Sequence, residues 1–516
     1  MTGSQLDEAA VTIDRPPALD DTALFGHPRG LGLLFIVEMW ERFSYYGMRG
    51  LLVLYLVNVL GWPDANAANL YGTYTALAYL TPLAGGYLAD RLIGTRRSLV
   101  VGGVIIALGH FALAVENMVF FYLGLGLVAI GTGFFKPNVS TMVGQIYAPG
   151  DPRRDSGFTI FYMGINLGAF LAGIVCGWLY QEFGPSYGFG AAGVGMVLGL
   201  TVYLIYRDKY LPGIGLLRSQ QNPTGSTGAV AEVEADPTNP MHGIVGALLG
   251  VIVALAASGG AWRGVDAFSA WLTGSSGWLS LFFGAMVGAA LGISILGSHG
   301  EERKRVIALF IVCFFVVFFW MAFEQAGSSM NLFADRNTDR NVGGFLIPTA
   351  WFQSVNAGFI ILFAPLFAVL WAWLRPRGWE PSTALKMVGG LFLCGIGFLI
   401  LAAGGRMADT GVLVSPMWLV LAYLFQTWGE LSLSPVGLSY VTKVAPLRFA
   451  SLLMGVWFLA NAFANKLAGS LAAYSASLTS LGEFFMIPVY TSIGAAVLLL
   501  LLVPVLKRLT ASVPGA

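Results

Sequence analysis

The chain has 516 residues, of which 56% are hydrophobic and only 11% are charged, whereas soluble globular proteins carry about 25% charged residues. A net charge of +1 excludes a basic surface for nucleic acid, and the three cysteines, all in apolar stretches, exclude a disulfide scaffold or a Cys-rich metal site. The composition predicts a polytopic membrane protein, and the polar first 29 residues do not have the pattern of a signal peptide.

Fourteen stretches are long and apolar enough to span a bilayer, because a hydrocarbon core about 30 Å thick needs roughly 20 apolar residues per helix. They are residues 30–60, 69–90, 98–115, 118–143, 157–180, 187–206, 242–262, 276–298, 305–331, 346–374, 383–405, 412–441, 449–475 and 484–506. The order predicts a cytoplasmic tail (1–29), a six-helix bundle (30–206), a cytoplasmic linker (207–241), a two-helix insert (242–298), a second six-helix bundle (299–508) and a cytoplasmic tail (509–516).

The basic residues predict the orientation of these spans. Of the 28 lysines and arginines, 20 fall in the tails and loops of one side or at the span ends next to them, four in loops of the other side and four deep inside predicted spans. Because cytoplasmic loops carry the excess of Lys and Arg, we expect both termini in the cytoplasm.

Eight charged residues, four of each sign, lie inside predicted spans and away from the span ends. Glu38, Glu41, Arg42, Tyr45, Tyr46 and Arg49 follow helical spacing and therefore share one face of the first span. The remaining charges are Lys136, Glu324, Glu430 and Lys466. A charged side chain in a bilayer faces a bundle interior or a water-filled cavity.

Buried ion pairs that only hold helices together are the alternative interpretation. Each unpaired charge costs about 2.5–3.5 kcal/mol at a helix centre, and a buried pair seldom stabilises more than apolar packing does. A purely structural role is therefore a poor explanation for the whole set, although it suits Lys466 taken alone. A set of this kind can exchange protons, and it can hold a zwitterion between a cation and a carboxylate.

Nothing in the sequence favours an enzyme. The four histidines have no metal-ligand spacing, and the chain has no phosphate-binding loop or dinucleotide fingerprint.

Four strings carry a resemblance to a known family: EMWERFSYY (38–46), GYLADRLIGTRR (86–97), GTGFFKPN (131–138) and FTIFYMGINLGAF (158–170). The second is similar to the signature loop of the major facilitator superfamily. Together they resemble the proton-dependent oligopeptide transporters, and the extra pair of spans resembles bacterial members. The implied fold is all-α and polytopic, with two six-helix bundles and a two-helix insert, or fourteen transmembrane helices.

The resemblance implies a role for each residue that matches a family motif. Proton coupling is assigned to Glu38, Glu41, Arg42, Arg49 and Glu324, with Arg49 and Glu324 paired as a gate and Arg42 also facing the peptide carboxylate. Lys136 would approach that carboxylate or pair with Glu430. Glu430, Asn166 and Asn356 would receive the peptide amino group. The side-chain pockets would be lined by Tyr45, Tyr79, Trp320, Ser434, Trp457 and Phe458.

The resemblance also implies a proton-coupled symporter that imports di- and tripeptides across the plasma membrane, the inner membrane of a bacterium, by alternating access. Its partners would be peptides, protons and the lipid bilayer, with no cofactor and no nucleic acid, and it would work as a monomer. Two alternatives remain open: a related transporter of another small anion or peptide-like compound, and a non-concentrative channel or binder. In one departure, YGTYTALAYLTPLAGG (71–86) lacks the histidine that some family members use in proton coupling.

Overall fold

The computed structural model describes residues 22–23, 25–148, 151–216, 240–258 and 277–513. Most of the predicted N-terminal tail (1–29) and linker (207–241), and residues 514–516 of the predicted C-terminal tail, lie outside these ranges. Two short hairpins occur, β1 (Thr22–Ala23) with β2 (His27–Pro28) and β3 (Asn341–Val342) with β4 (Phe345–Leu346), both antiparallel.

Helices make up nearly all of the described chain. The first six are α1 (Arg29–Leu54), α2 (Asp64–Leu88), α3 (Thr95–Leu113), α4 (Met118–Gln145), α5 (Arg154–Phe183) and α6 (Pro185–Tyr210). They are followed by α7 (Pro240–Ser258) and α8 (Gly277–Leu291). The rest are α9 (Gly300–Phe323), α10 (Ser329–Arg336), α11 (Trp351–Leu374), α12 (Thr383–Ala408), α13 (Met417–Val444), α14 (Ala450–Tyr474) and α15 (Leu481–Leu509). Single π-helical turns extend α1, α2 and α8.

The predicted all-α polytopic fold is confirmed. Each of the fourteen predicted spans coincides with a helix, and within the described ranges eight helices are both long and apolar enough to cross a membrane. Local sequence explains several boundaries. Asn117 caps α4 by accepting a hydrogen bond from the Val119 amide at 2.9 Å, and Gly184 with φ +100° precedes Pro185, the first residue of α6.

The helices pack as two groups that meet along two seams. In the first group α1 packs on α5 and α6, and α4 packs on α2 and α3; in the second, α12 packs on α13 and α15, and α14 packs on α9. The seams are α2 against α14 and α5 against α11. We name the end of the molecule where α3, α5 and α9 begin, with Arg96, Arg154 and Lys304, the basic face. The other end, where α2 begins, is the opposite face.

Backbone contact holds the seam between α2 and α14 together. A Cβ at Gly72 would lie 2.7 Å from the Gly469 Cα, and a Cβ at Gly469 would lie 2.6 Å from the Gly72 Cα. One turn away on α14, Lys466 is 1% exposed and its Nζ donates a hydrogen bond to Thr73 Oγ1 at 3.0 Å. The close crossing therefore brings Lys466 to a polar group on the other bundle, which the sequence did not indicate.

The insert packs beside this same seam. Glycines at 246, 250, 288 and 292 leave no room for a Cβ between the backbone of α7 and that of α8 with its π turn. Helix α8 rests on α14, where the rings of Phe283 and Phe463 are 5.6 Å apart in an edge-to-face arrangement. The insert is thus a tight helical hairpin on the outside of the seam between α2 and α14.

The predicted span 305–331 is interrupted at Glu324, one of the residues predicted to take part in proton coupling. Helix α9 ends at Phe323, a 3-10 turn covers Glu324–Gly327, and α10 starts at Ser329. A Cβ at Gly327 would overlap the hydroxyl of Tyr71 from α2, so the break allows the two bundles to approach closely at this level.

The glycine crossing makes stability sensitive to a single methyl group. We expect Gly469→Ala to lower the melting temperature of the detergent-purified protein, because overpacking of this kind costs about 1–3 kcal/mol. Gly455→Ala is the matched control on the same helix, since its Cβ would meet only a Leu83 methyl at 3.5 Å. Equal melting temperatures for the two variants would show that the crossing is not under steric constraint.

Candidate functional site

Helix α1 carries its charged residues in the interior of the first bundle, as its spacing predicts. Glu38, Glu41, Arg42 and Arg49 are all less than 10% exposed. The Arg42 Nε lies 3.0 Å from a Glu38 carboxylate oxygen and also contacts Glu41. Two carboxylates therefore share one guanidinium, and the cluster is compact and almost free of solvent.

Arg49 and Glu324 join the two bundles. The Arg49 Nη2 donates to a Glu324 carboxylate oxygen, and both side chains are at least 90% buried. Arg49 comes from the last turns of α1, and Glu324 comes from the break after α9. A buried ion pair of this kind weakens when the carboxylate is protonated, because the attraction to the guanidinium is lost.

Further contacts close the opposite face. Arg336 at the end of α10 makes two hydrogen bonds to Asp64 at the start of α2, at 2.6 and 3.0 Å. Asn58 donates to Asp335 at 2.9 Å, and Asn331 donates to the Gly50 carbonyl at 2.9 Å. We call these three links the opposite-face contacts. Each joins the first bundle to residues of α10.

A cavity of about 820 Å³ lies between the bundles, within the range of about 300–1,000 Å³ for small-molecule sites. It extends toward the basic face, where Phe158 and Thr159 near the start of α5 and Trp371 near the end of α11 line it. Eleven predicted site residues line the cavity: Arg49, Tyr79, Lys136, Asn166, Trp320, Glu324, Asn356, Glu430, Ser434, Trp457 and Phe458.

Lys136 is a cation without an acidic partner among the residues that the structure describes. Its Nζ lies 4.1 Å from the centre of the Tyr79 ring, a cation–π contact. Pro137 follows it in α4, where a proline removes one helical hydrogen bond. The expected alternate pairing with Glu430 does not occur in this conformation, because no ion pair joins the two. Lys136 thus presents a positive charge to the cavity.

Glu430 on α13 is the complementary anion. It accepts a hydrogen bond from Asn356 Nδ2 at 3.1 Å, and Asn356 also contacts Thr427 Oγ1 at 3.0 Å. No Lys or Arg within the described ranges forms an ion pair with it. Pro435, five residues later, lacks an amide proton, so the carbonyl of Leu431 loses its helical donor at the cavity wall. Asn356 and Glu430 are therefore held together as an acceptor site for a cation.

Four predicted residues are not part of the cavity lining: Glu38, Glu41, Arg42 and Tyr45. They lie deeper in the first bundle, where the Arg42 guanidinium also sits 5.5 Å from the centre of the Tyr45 ring. A direct contact between Arg42 or Tyr45 and a ligand remains a prediction. In this conformation the carboxylates of Glu38 and Glu41 both lie at the Nε of Arg42, and its Nη2 has no hydrogen-bond partner among the described residues.

The cavity also contains polar residues that the sequence did not single out. Tyr162 lies one helical turn before Asn166 on α5, and the Asn166 side chain donates to the Tyr162 carbonyl at 2.9 Å. Gln353 lies one turn before the predicted Asn356 on α11. Asn461 lies one turn after the predicted Trp457 on α14. Each of these residues lies three or four positions from a predicted site residue, and this helical spacing was the signal in the sequence that could have identified them.

Comparisons with known proteins agree with this architecture. The POT family (PTR2) profile matches residues 96–211 and 288–493. The peptide transporter YePEPT of Yersinia enterocolitica is 38% identical over 95% of this chain and 97% of its own length. A di-/tripeptide transporter of Lactococcus lactis subsp. cremoris is 33% identical over 94% of this chain and 97% of its own.

Solved structures give the same result. The crystal structure of a peptide transporter POT in complex with sulfate has a TM-score of 0.76 and 35% identity, and covers 96% of this chain and 98% of that one. Both sequence and fold match over nearly the whole length. The chain is a member of the POT family of membrane transporters.

Proposed function

We propose that the protein is a proton-coupled symporter that imports di- and tripeptides across a bacterial plasma membrane, with its basic face and both termini in the cytoplasm. One observation carries the proposal: Lys136 and Glu430 place opposite charges, neither in an ion pair among the described residues, in one cavity between the bundles. A zwitterion satisfies both at once. The printed names of the family relatives supply the peptide as its chemical class.

The position of the two charges suggests how a peptide drives closure. Lys136 belongs to the first bundle and Glu430 to the second. A peptide whose carboxylate binds Lys136 and whose ammonium binds Glu430 and Asn356 links the two bundles by charge-assisted hydrogen bonds. Binding therefore stabilises conformations in which the bundles approach each other around the ligand, as alternating access requires.

Arg49 and Glu324 supply the proton coupling in this scheme. With the opposite face toward the periplasm, protonation of Glu324 from outside weakens its pair with Arg49, and that face opens. Glu324 also lines the cavity that extends to the basic face. With the cavity extending to the basic face, as in the conformation described here, Glu324 releases its proton to the cytoplasm, and its ion pair with Arg49 forms again. The cycle couples entry of one ligand to movement of a proton down its gradient.

We propose that one chain is the functional unit, because the two bundles that enclose the cavity belong to the same polypeptide. The proposed cycle uses a peptide and a proton and assigns no role to a metal or organic cofactor. On the basic face, hydrogen bonds from Arg375 and Lys386 hold the pKa of Glu380 at about 2. That loop carboxylate therefore stays ionised throughout the pH range of an uptake assay.

Removal of the Glu324 charge tests the coupling. In proteoliposomes with an acid exterior, we expect the wild type to concentrate labelled dialanine, and Glu324→Gln to lose this accumulation while it still exchanges dialanine across the membrane. Glu483→Gln, which changes an exposed carboxylate at the start of α15, should behave as wild type. Gradient-independent uptake by the wild type would refute proton coupling and favour a channel.

Blocked peptides test the assignment of the two ends. We expect N-acetyl-dialanine and dialanine amide to compete with labelled dialanine at least tenfold more weakly than dialanine does, because each lacks one hydrogen-bonded charge. Lys136→Ala should remove the discrimination against the amide, and Glu430→Gln the discrimination against the acetylated peptide.

Lys443→Ala, at an exposed lysine of α13, is the control and should change neither ratio. If Lys136→Ala instead lost the discrimination against the acetylated peptide, and Glu430→Gln that against the amide, the peptide would bind with its two ends exchanged. If the acetylated or amidated compounds competed as well as dialanine in the wild type, another class of ligand would replace the peptide.

A further inference from the structure

Tyr71 on α2 makes a contact with the gate pair that none of the roles above uses. It is completely buried, and its hydroxyl accepts a hydrogen bond from Arg49 Nε at 2.5 Å. A second nitrogen of the same guanidinium, Nη2, donates to Glu324. Arg49 is therefore held between a neutral oxygen of its own bundle and a carboxylate of the other bundle.

The Tyr71 hydroxyl also touches the second bundle directly. It occupies the place that a side chain at Gly327 would take, in the 3-10 turn that begins with Glu324. The Tyr71 hydroxyl thus lies against the Arg49 guanidinium and against the backbone of Gly327, three residues after Glu324. Tyr71 does not line the cavity, so it has no direct route to a ligand bound there.

We propose that Tyr71 is a positioning residue for proton coupling: its hydroxyl fixes the Nε edge of Arg49 so that Nη2 faces Glu324, and it retains Arg49 on the first bundle when the pair opens. The proposal rests on the symport function above. An arginine has five N–H donors and no acceptor. A partner on the Nε edge therefore selects which donors remain for the carboxylate.

The aromatic surroundings of Arg49 agree with retention on the first bundle. Its guanidinium carbon lies 5.5 Å from the centre of the Tyr46 ring and 5.8 Å from that of Tyr71. Both tyrosines belong to the first bundle, so once Glu324 is protonated, one hydrogen bond and two ring faces still hold the cation. The guanidinium then remains in place for the pair to form again.

Helix α2 offers a matched control for the loss of one hydroxyl. Tyr74 is also buried and also lies outside the cavity lining, but its hydroxyl has no hydrogen-bond partner in the described part of the chain. We compare Tyr71→Phe with Tyr74→Phe in proteoliposomes. Tyr71→Phe should lower the maximal rate of gradient-driven dialanine uptake about tenfold, the order expected for one hydrogen bond to a charged group. Its KM for dialanine should stay within about twofold of wild type, whereas Tyr74→Phe should change neither constant.

A second measurement does not depend on the substrate. Spin labels at exposed positions 59 and 342, one on each bundle at the opposite face, report the distance across it. Tyr71→Phe should increase the population with long label distances, and Tyr74→Phe should not. A wild type without gradient-driven uptake would refute the proposed function, while the label distances would still decide the role of Tyr71. Identical distance distributions in both variants and the wild type, or a change in KM alone, would overturn the positioning role.

Discussion

A charge in a bilayer needs a partner, and Arg49 and Glu324 find theirs in each other across two separate bundles. This constraint organises much of the closed side of the molecule. Helix α9 stops at the residue that supplies the anion, Tyr71 of α2 binds the guanidinium from within the first bundle and lies against Gly327 of the second, and α10 carries the opposite-face contacts. Because both members of the pair are buried, loss of one charge leaves the other without compensation, so protonation has a large effect on the balance between conformations.

Lys136 and Glu430 follow the reverse rule, since neither of these two cavity residues is in an ion pair among the described residues. Lys136 rests on an aromatic face and Glu430 on an amide. Neither contact neutralises a charge, so both residues keep much of their attraction for a ligand of the opposite sign. The protein thus has two kinds of buried charge: an ion pair that joins the bundles, and two charges outside any ion pair of the described chain, which the proposed function assigns to the ligand.

Much of this was predictable from the sequence, because periodicity and composition act locally. The fourteen spans, the charged face of α1 and eleven of the cavity-lining residues follow from the spacing of residues along single helices or from family motifs. Contacts between distant segments were less accessible. Neither the hydrogen bond from Lys466 to Thr73 nor the place of Tyr71 beside Gly327 has a signature in the chain, since both depend on how α2 approaches the second bundle. The break in span nine was hidden because EQAGSS lies between strongly helical segments.

The closed side has two layers that differ in their access to water. Arg336 and Asp64 have side chains 43% and 32% exposed, whereas those of Arg49 and Glu324 are 8% and 3% exposed. At physiological ionic strength, where the Debye length is about 8 Å, dissolved ions screen the exposed Arg336–Asp64 pair. They screen the buried Arg49–Glu324 pair much less. In the proposed mechanism, the salt content of the medium that bathes the opposite face therefore adjusts the strength of the outer layer independently of the Arg49–Glu324 layer beneath it, so salinity and acidity act through different residues.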